Sequence, residues 1–358
     1  MIALDQILSK IMQESGSDIY ILPGTPVKAK VRGQMEQLGE ERCSVQDCAD
    51  LLQEIYALAG GRSMKRLEEV GDDDFSFSLA AVGRFRCSAY RQRGSYGAVL
   101  RAVPFSIPDA EKLHIPKAVM DLFSLKRGMV LVTGPAGSGK STTLACLIDR
   151  INRERTGHII TIEDPIEYLH GHKGCLVSQR EINTDTLSFA HALRAALRQA
   201  PDVILLGEMR DFETISTAMT ASETGHLLLS TLHTVGAAKT IDRIVDVFPA
   251  AQQQQVRIQL SMVLRAVVSQ QLVPAVDGGQ AAAFEVMIAN PAIRNLIREA
   301  KTHQIDSAIQ AGAAEGMCTM DSSLLALCRA GRITADTALT YSAHYETLEK
   351  RLAALGLC

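Results

Sequence analysis

The sequence predicts an α/β protein: a small α+β domain in front, a parallel-sheet domain in the middle and helices behind. Three observations carry that prediction. Four solidly apolar segments, "MVLVT", "HIITI", "DVILLG" and "HLLLSTL", alternate with helical stretches, and strands apolar on both faces belong in a covered parallel sheet. A glycine-rich turn joins the first of them to a helix with an apolar stripe. The stretch before them, "FSFSLAAVGRFRCSAYRQRGSYGAVLRAVP", alternates as antiparallel strands do.

Taken in order, Leu4, Ile7, Leu8 and Ile11 mark a first amphipathic helix. "SDIYIL" and "VKAKVRG" read as short strands around the Pro23-Gly24 turn. A second helix is expected over about Val45 to Leu58. These elements make a first domain over 1–103. "PFSIPDAEKLHIP", with its three prolines, reads as a linker over 104–116. The parallel-sheet domain is expected over 117–290. It closes with "LVPAVDGGQAAAFEVMIA", a hairpin turning at Asp277-Gly278-Gly279. Residues 291–358 read as helices only. Gln252 to Gln255 read as an exposed turn of helix. In "NPAIRNLIREAKTHQ", Asn290 caps a helix, Pro291 takes its first position, and Ile293, Leu296, Ile297 and Ala300 form its apolar side. Arg294 and Arg298 lie four apart on a different stripe.

Composition bounds the function. The chain has 358 residues, which suits two domains, and 47% hydrophobic residues, which suits real cores. A net charge of −3 gives no general pull toward nucleic acid or acidic membrane. Tryptophan is absent and aromatics total 4%, against a base-stacking surface. The eight cysteines show no C-x-x-C pair, so they read as buried small hydrophobes in a reducing compartment, with no zinc site. No run approaches the roughly 18 apolar residues that cross a bilayer, and the start lacks a signal-peptide core. The expectation is a cytoplasmic protein without a transmembrane segment.

The strongest chemical signal is "MVLVTGPAGSGKSTTLACLIDRI". Gly134, Gly139, Lys140 and Ser141 satisfy G-x-x-x-x-G-K-[ST] between an apolar strand and a helix whose buried face is Leu144, Leu147, Ile148 and Ile151. In such a loop, from Gly134 through Ala136, Gly137, Ser138 and Gly139 to Lys140, Ser141 and Thr142, backbone N–H groups converge on phosphate oxygens at a helix N-terminus. Lys140 reaches the β and γ phosphates and Ser141 ligates Mg²⁺. ATP with Mg²⁺ is therefore the expected ligand.

Ligands of open α/β sheets sit at the carboxyl ends of strands. "HIITIEDPIEY" ends in Glu163, Asp164 and Glu167, "DVILLGEMRD" in Glu208, Arg210 and Asp211, and "GHLLLSTLHT" is bracketed by His226 and His233. ATP hydrolysis needs one carboxylate to orient or deprotonate water and another to hold Mg²⁺ directly or through water; Glu167 and Glu208 are the candidates. The plain alternatives are helix caps for the acids and hydrogen-bonded rim residues for the histidines. The sharper histidine reading is a pair that senses the γ-phosphate. Between Arg84 and Arg101 lie Arg86, Arg91 and Arg93 with no acid. They read as a solvated face, as phosphate contacts for nucleic acid, or as arginine fingers that reach a nucleotide on a neighbouring subunit of a ring.

"GPAGSGKSTTL", "TIEDPIEY", "PDVILLGEMRDFETI" and "ETGHLLLSTLHTVGAAKTIDRIVDVFP" together resemble the Walker A, Asp box, Walker B and His box of the secretion-ATPase superfamily of type II secretion and type IV pili, in the same order. The resemblance runs over nearly the whole chain, and "AIRNLIREAKTHQI" is similar to a signature of its pilus-retraction branch. It implies a PAS-like N-terminal domain followed by a RecA-like P-loop ATPase domain with C-terminal helices, assembled as a homohexamer. It implies Glu167 as general base with Glu163 beside it, Glu208 as the Walker B carboxylate, His226 and His233 as the His-box pair, and Arg86 and Arg101 as arginine fingers in trans. Arg294 and Arg298 become coupling residues. The implied function is ATP-driven pilus retraction, with the chain peripheral at the cytoplasmic face of the inner membrane beside a platform protein and the pilus machinery. The sequence departs from the family's pattern at Tyr20, at "HTVGAAKT" and at the extra acid of "GDDDFSF". Competing readings are an extension or secretion ATPase of the same superfamily, a RecA-like nucleic-acid motor, and a small-molecule phosphotransferase. Extension and secretion relatives often carry a long N-terminal region and a tetracysteine zinc site, and neither is visible here.

Overall fold

The computed structural model describes residues 3–14, 16–31, 34–79, 82–103 and 106–357. Arg32 and Gly33 of the expected second strand, Ala80 and Ala81, Pro104 and Phe105 of the expected linker, and the terminal residue Cys358 lie outside them. The chain divides into two compact units. One takes residues up to Ser106 together with Pro165–Leu169 and Glu181–Asp185; the other takes Ile107–Asp164, His170–Arg180 and Thr186 onward.

The first unit runs α1 (Leu4–Gln13), β1 (Gly16–Ile21), β2 (Lys28–Val31), β3 (Gln34–Gln37), α2 (Val45–Leu58), α3 (Lys65–Val70), β4 (Asp72–Leu79), β5 (Gly83–Gln92) and β6 (Ser95–Val103). Among the described residues its sheet has the order β3-β2-β1-β6-β5-β4, antiparallel throughout. Leu4, Ile7, Leu8 and Ile11 are all buried, as their spacing predicts. Fully burying each such side chain contributes about 1.5–3 kcal/mol. Ser44 and Asp47 form a capping box at the start of α2, a device typically worth about 1 kcal/mol. Two elements escape the sequence reading. β3 is exposed along its length and α3 buries only Leu67, so neither shows a hydrophobic period.

Two buried acids organise this unit. Asp73, within the acid run noted above, is 2% exposed and receives a bidentate pair from Arg62 at 2.9 and 2.8 Å and the Tyr56 hydroxyl at 3.0 Å. Glu181 is 3% exposed. One of its oxygens accepts from Arg84 at 3.1 Å and from the Ile166 backbone N–H at 3.0 Å, and the Thr184 hydroxyl donates to the other at 3.3 Å. A buried carboxylate is tolerated only when paired and hydrogen-bonded. Glu181 thus ties the excursions 165–169 and 181–185 to β5 of the same unit.

The second unit runs α4 (Lys117–Met120), β7 (Gly128–Thr133), α5 (Lys140–Glu154), β8 (Gly157–Glu163), β9 (Cys175–Glu181, its last residue in the first unit), α6 (Phe189–Ala196), β10 (Val203–Leu206), α7 (Phe212–Glu223), β11 (Leu227–Leu232), α8 (Ala237–Asp246), α9 (Ala250–Val263), β12 (Leu264–Pro274) and β13 (Gln280–Ile288). Helices α10 (Pro291–Arg298), α11 (Ile305–Ala311), α12 (Met320–Arg329), α13 (Ala335–Thr340) and α14 (Tyr345–Ala354) follow. Among the described residues the sheet order is β13-β12-β7-β11-β10-β8-β9. β12, β7, β11, β10 and β8 are parallel, and β13 returns antiparallel to β12. Every residue of β7, β10 and β11 is buried, as solidly apolar parallel strands require. β9, "CLVSQRE", alternates at the sheet edge and was not anticipated. From the expected linker, Ile107, Leu113 and Ile115 pack onto the core of this unit.

α10 corrects one expectation. Asn290 caps it through Ile293 N–H at 3.0 Å, and Ile293 and Ile297 are fully buried. The helix stops at Arg298, however, and Ala300 is exposed with φ +56°. The Lys301 N–H reaches back to the Leu296 carbonyl at 2.9 Å, the Schellman pattern that ends a helix with a left-handed residue. Ala300 therefore terminates the apolar side instead of extending it. Seven cysteines are described, and all but the half-buried Cys318 are buried.

Candidate functional site

The parallel strands of the second unit deliver their carboxyl ends to one edge of the sheet. Ladder register aligns Thr133 with Leu232 and with Ser269, and Leu206 with Ile162 and with Ser230. The residues that follow, Gly134, His233, Gln270, Gly207-Glu208 and Glu163, therefore emerge together. Side chains lock this edge. Ser230 and Thr231 hydroxyls donate to the Leu206 and Gly207 carbonyls, each at 2.7 Å, and the Gly207 N–H donates to Ile162 at 2.8 Å.

The loop after β7 wraps the start of α5. Gly134 and Gly139 have φ +141° and +84°, and any Cβ at Gly134 would lie 2.2 Å from the Gln270 carbonyl oxygen. Glycine is thus required at both ends of the loop. Lys140 is 8% exposed, and its ammonium donates to the Gly134 and Pro135 carbonyls at 3.0 and 2.8 Å. The Ser138 hydroxyl is buried without a hydrogen-bond partner. Ala136 and Gly137 lie exposed at the tip, with Ser141 and Thr142 half-buried in the first turn of α5. A glycine-bounded loop at a helix N-terminus, a lysine turned into that loop and an unpaired buried hydroxyl fit a phosphate chain. Mg²⁺ takes few protein oxygens and keeps phosphate and water ligands. The Ser141 hydroxyl and the Glu208 carboxylate are donors of that kind, and no cluster of three or more His, Cys, Asp or Glu suited to a metal exists among the described residues.

Glu208 is held by two basic side chains. One of its oxygens takes Arg210 Nε at 2.7 Å and lies 3.3 Å from His233 Nε2. Neighbouring Asp211 is a helix cap, accepting from the Thr214 N–H at 2.9 Å. Glu163 closes β8 and accepts from the Thr161 hydroxyl at 2.6 Å and Gln179 at 3.3 Å. Glu167 stands four residues further on, exposed, in the segment that belongs to the first unit. Within one chain the two histidines are not brought together. His226 precedes β11 and His233 follows it, roughly 20 Å apart along an extended strand. His226 Nδ1 instead contacts the Ala221 carbonyl at 3.0 Å.

In the first unit, Arg84 is committed to Glu181, Arg101 donates to Asp18 at 2.8 Å, and Arg91 donates to the Glu68 carbonyl at 3.2 Å. Arg86 is exposed and has no partner among the described residues. Burial pushes the Asp18 pKa up, but hydrogen bonds from Arg101 and Ser17 outweigh it and hold the carboxyl below its ordinary value. Sequence reasoning missed Gln270, which is buried under the loop: the Thr143 hydroxyl donates to its side-chain carbonyl at 2.7 Å. A glutamine inside an apolar strand was the available signal.

No described helix is long and apolar enough to cross a membrane. A family model described as type II/IV secretion system protein matches residues 1–321. The type IV pilus retraction ATPase PilT of Pseudomonas aeruginosa is 46% identical over 335 residues, 94% of this chain and 96% of that protein. A twitching motility protein of Neisseria gonorrhoeae is 47% identical over 94% of this chain and 89% of its own length. A crystal structure of the pilus retraction motor PilT with bound ADP superposes with a TM-score of 0.90 at 46% identity, covering 98% of this chain and all of that one.

Proposed function

Because the chain belongs to the type II/IV secretion system protein family, we propose that it is an ATP-hydrolysing motor of the pilus-retraction branch, the molecular basis of twitching. The observation that carries this reading is the carboxyl edge of the second sheet: a glycine-bounded phosphate loop, its buried lysine, and a carboxylate held by Arg210 and His233. Relatives named for retraction and for twitching, similar over nearly the full chain, support the direction of work.

In this reading the loop N–H groups and Lys140 bind the β and γ phosphates, and Ser141 and Glu208 would hold Mg²⁺, Glu208 directly or through water, where the ion would supply positive charge beside the phosphates. Glu167 is the general base with Glu163 beside it, and His233 senses the γ-phosphate through Glu208. His226, at the far end of β11, acts toward a neighbouring copy. The chain works as a homohexamer in which Arg86 and Arg101 reach the nucleotide of the adjacent subunit, since a finger in trans requires a ring. Cycles of binding and hydrolysis drive domain motion against an inner-membrane platform protein at the cytoplasmic face, and pilin is withdrawn. No nucleic acid takes part.

Two measurements test this. Lys140→Ala abolishes ATP turnover, and turnover at the native rate overturns the loop assignment. Cells lacking the gene accumulate pili that do not retract; bald cells would instead make the chain an extension or secretion motor of the same superfamily. Strong, salt-dependent stimulation of turnover by single-stranded DNA would make it a nucleic-acid motor.

A further inference from the structure

Gln270 braces the phosphate loop at both ends. It is 4% exposed and stands at the carboxyl end of the parallel run of β12, one residue past the Ser269–Thr133 register pair. Its backbone carbonyl oxygen lies 2.2 Å from where a Cβ on Gly134 would be, at the point where the loop begins. Its side-chain nitrogen lies 2.8 Å from where a Cβ on Gly139 would be, at the cap of α5. Its side-chain oxygen accepts from Thr143 in the first turn of that helix at 2.7 Å. One residue thereby spans the loop's exit from β7 and its entry into α5. The neighbouring Ser269 hydroxyl accepts from the Gly236 N–H at 2.9 Å. Glu285, the cross-strand partner of Ser269, accepts from the Ala237 N–H at 2.7 Å. The same hairpin therefore holds the start of α8, just after His233.

We propose that Gln270 is a positioning residue for nucleotide binding: acting through Thr143 and the two glycines, it sets the curvature that aims the loop's N–H groups at the phosphates. This rests on the ATPase reading above. The loop is braced before the nucleotide arrives, so Gln270 acts on the bound ground state and the transition state alike. Its loss then raises KM and leaves kcat nearly unchanged.

The test is a double-mutant cycle on the full-length protein, with ADP and ATP as probes. Gln270→Met and Thr143→Val each weaken ADP binding and raise the KM for ATP about tenfold, the size expected when a buried hydrogen bond loses one partner, while kcat stays within about threefold. The double variant is no weaker than the weaker single variant, because both break the same link. Thr143→Ser, which keeps the hydroxyl, binds as the unaltered chain does. Wild-type affinity in Gln270→Met with only a lower melting temperature makes the residue a core filler and overturns the inference, as does full additivity. If Gln270→Met does not fold, native affinity in Thr143→Val overturns it equally. Failure of the unaltered chain to bind nucleotide sinks the ATPase reading and this one with it; normal binding by both the unaltered chain and the variants sinks this one alone.

Discussion

Arg86 on β5 and Arg101 on β6 are direct cross-strand partners, and Asp18 on β1 and Lys30 on β2 continue the row on the other side of Arg101. Directly opposed residues share a face, so Arg86, Arg101 and Lys30 share this one with a single carboxylate, Asp18. Like charges so placed destabilise a sheet. Asp18 offsets part of that repulsion through its 2.8 Å bond to Arg101 and leaves Arg86 uncompensated. A row that costs stability and persists invites a functional account, and arginine fingers supply one.

Arg86→Ala should therefore keep or slightly raise the melting temperature while lowering ATP turnover by about a hundredfold or more. Mixing Arg86→Ala with Lys140→Ala subunits should restore part of the activity, since an intact finger and an intact loop then meet at some interfaces. Thermal melts and turnover on mixed rings check both parts. No recovery at any mixing ratio would count against action in trans.

Glu208→Ala should retain ATP and hydrolyse it at least about a hundredfold more slowly. It also frees Arg210 and His233 from their shared carboxylate. Retained affinity is measured by ATP binding and lost chemistry by phosphate release. Native hydrolysis in Glu208→Ala and in Glu167→Gln would remove both carboxylates from the mechanism.

His170 makes stability depend on pH. It is 9% exposed and its Nδ1 is buried without a partner. Burial lowers its pKa to about 4, with Lys173 lowering and Asp149 raising it. Unfolded, the imidazole titrates near 6.5. Between those values the unfolded chain binds the extra proton, so acidification removes stability from about pH 6.5 downward until the folded imidazole also protonates near pH 4. His170→Gln should flatten that part of the pH–stability curve. Equal slopes for both proteins from pH 7 to 4 would show that another group is responsible.

Arg294→Ala with Arg298→Ala should leave ATP hydrolysis within about twofold and stop retraction. β13 ends opposite the start of β12, so α10 begins at the amino edge of the sheet, away from the phosphate loop. The Arg294 Nε is buried without a partner, and Arg298 is exposed. Turnover assays and pilus imaging separate the two effects. Loss of hydrolysis and of assembly together would give the helix a structural role only.

The site was legible in the sequence wherever its chemistry is local. Gly134 to Ser141 are contiguous, and apolar runs before and after them announce a strand and a helix. Glu208 and His233 were found because parallel strands deliver their ends to one edge. Gln270 was not, because its importance lies in contacting Thr143, 127 residues earlier. The pairing of His226 with His233 failed within the chain for a related reason: proximity in sequence is distance along an extended strand. Glu181 was not singled out for the same reason: its partner Arg84 lies 97 residues away.

By itself, then, the sequence determined the alternation of buried strands and helices, the phosphate loop, the cap of α10 and the family, because periodicity, turn chemistry and contiguous motifs act over a few residues. Tertiary structure alone decided that the excursions 165–169 and 181–185 belong with the first unit, that Ala300 ends α10, that Arg86 faces Arg101, and that Gln270 underpins the loop. Each of these depends on strand register and burial, where long-range packing selects among local conformations that the sequence leaves nearly equal in energy.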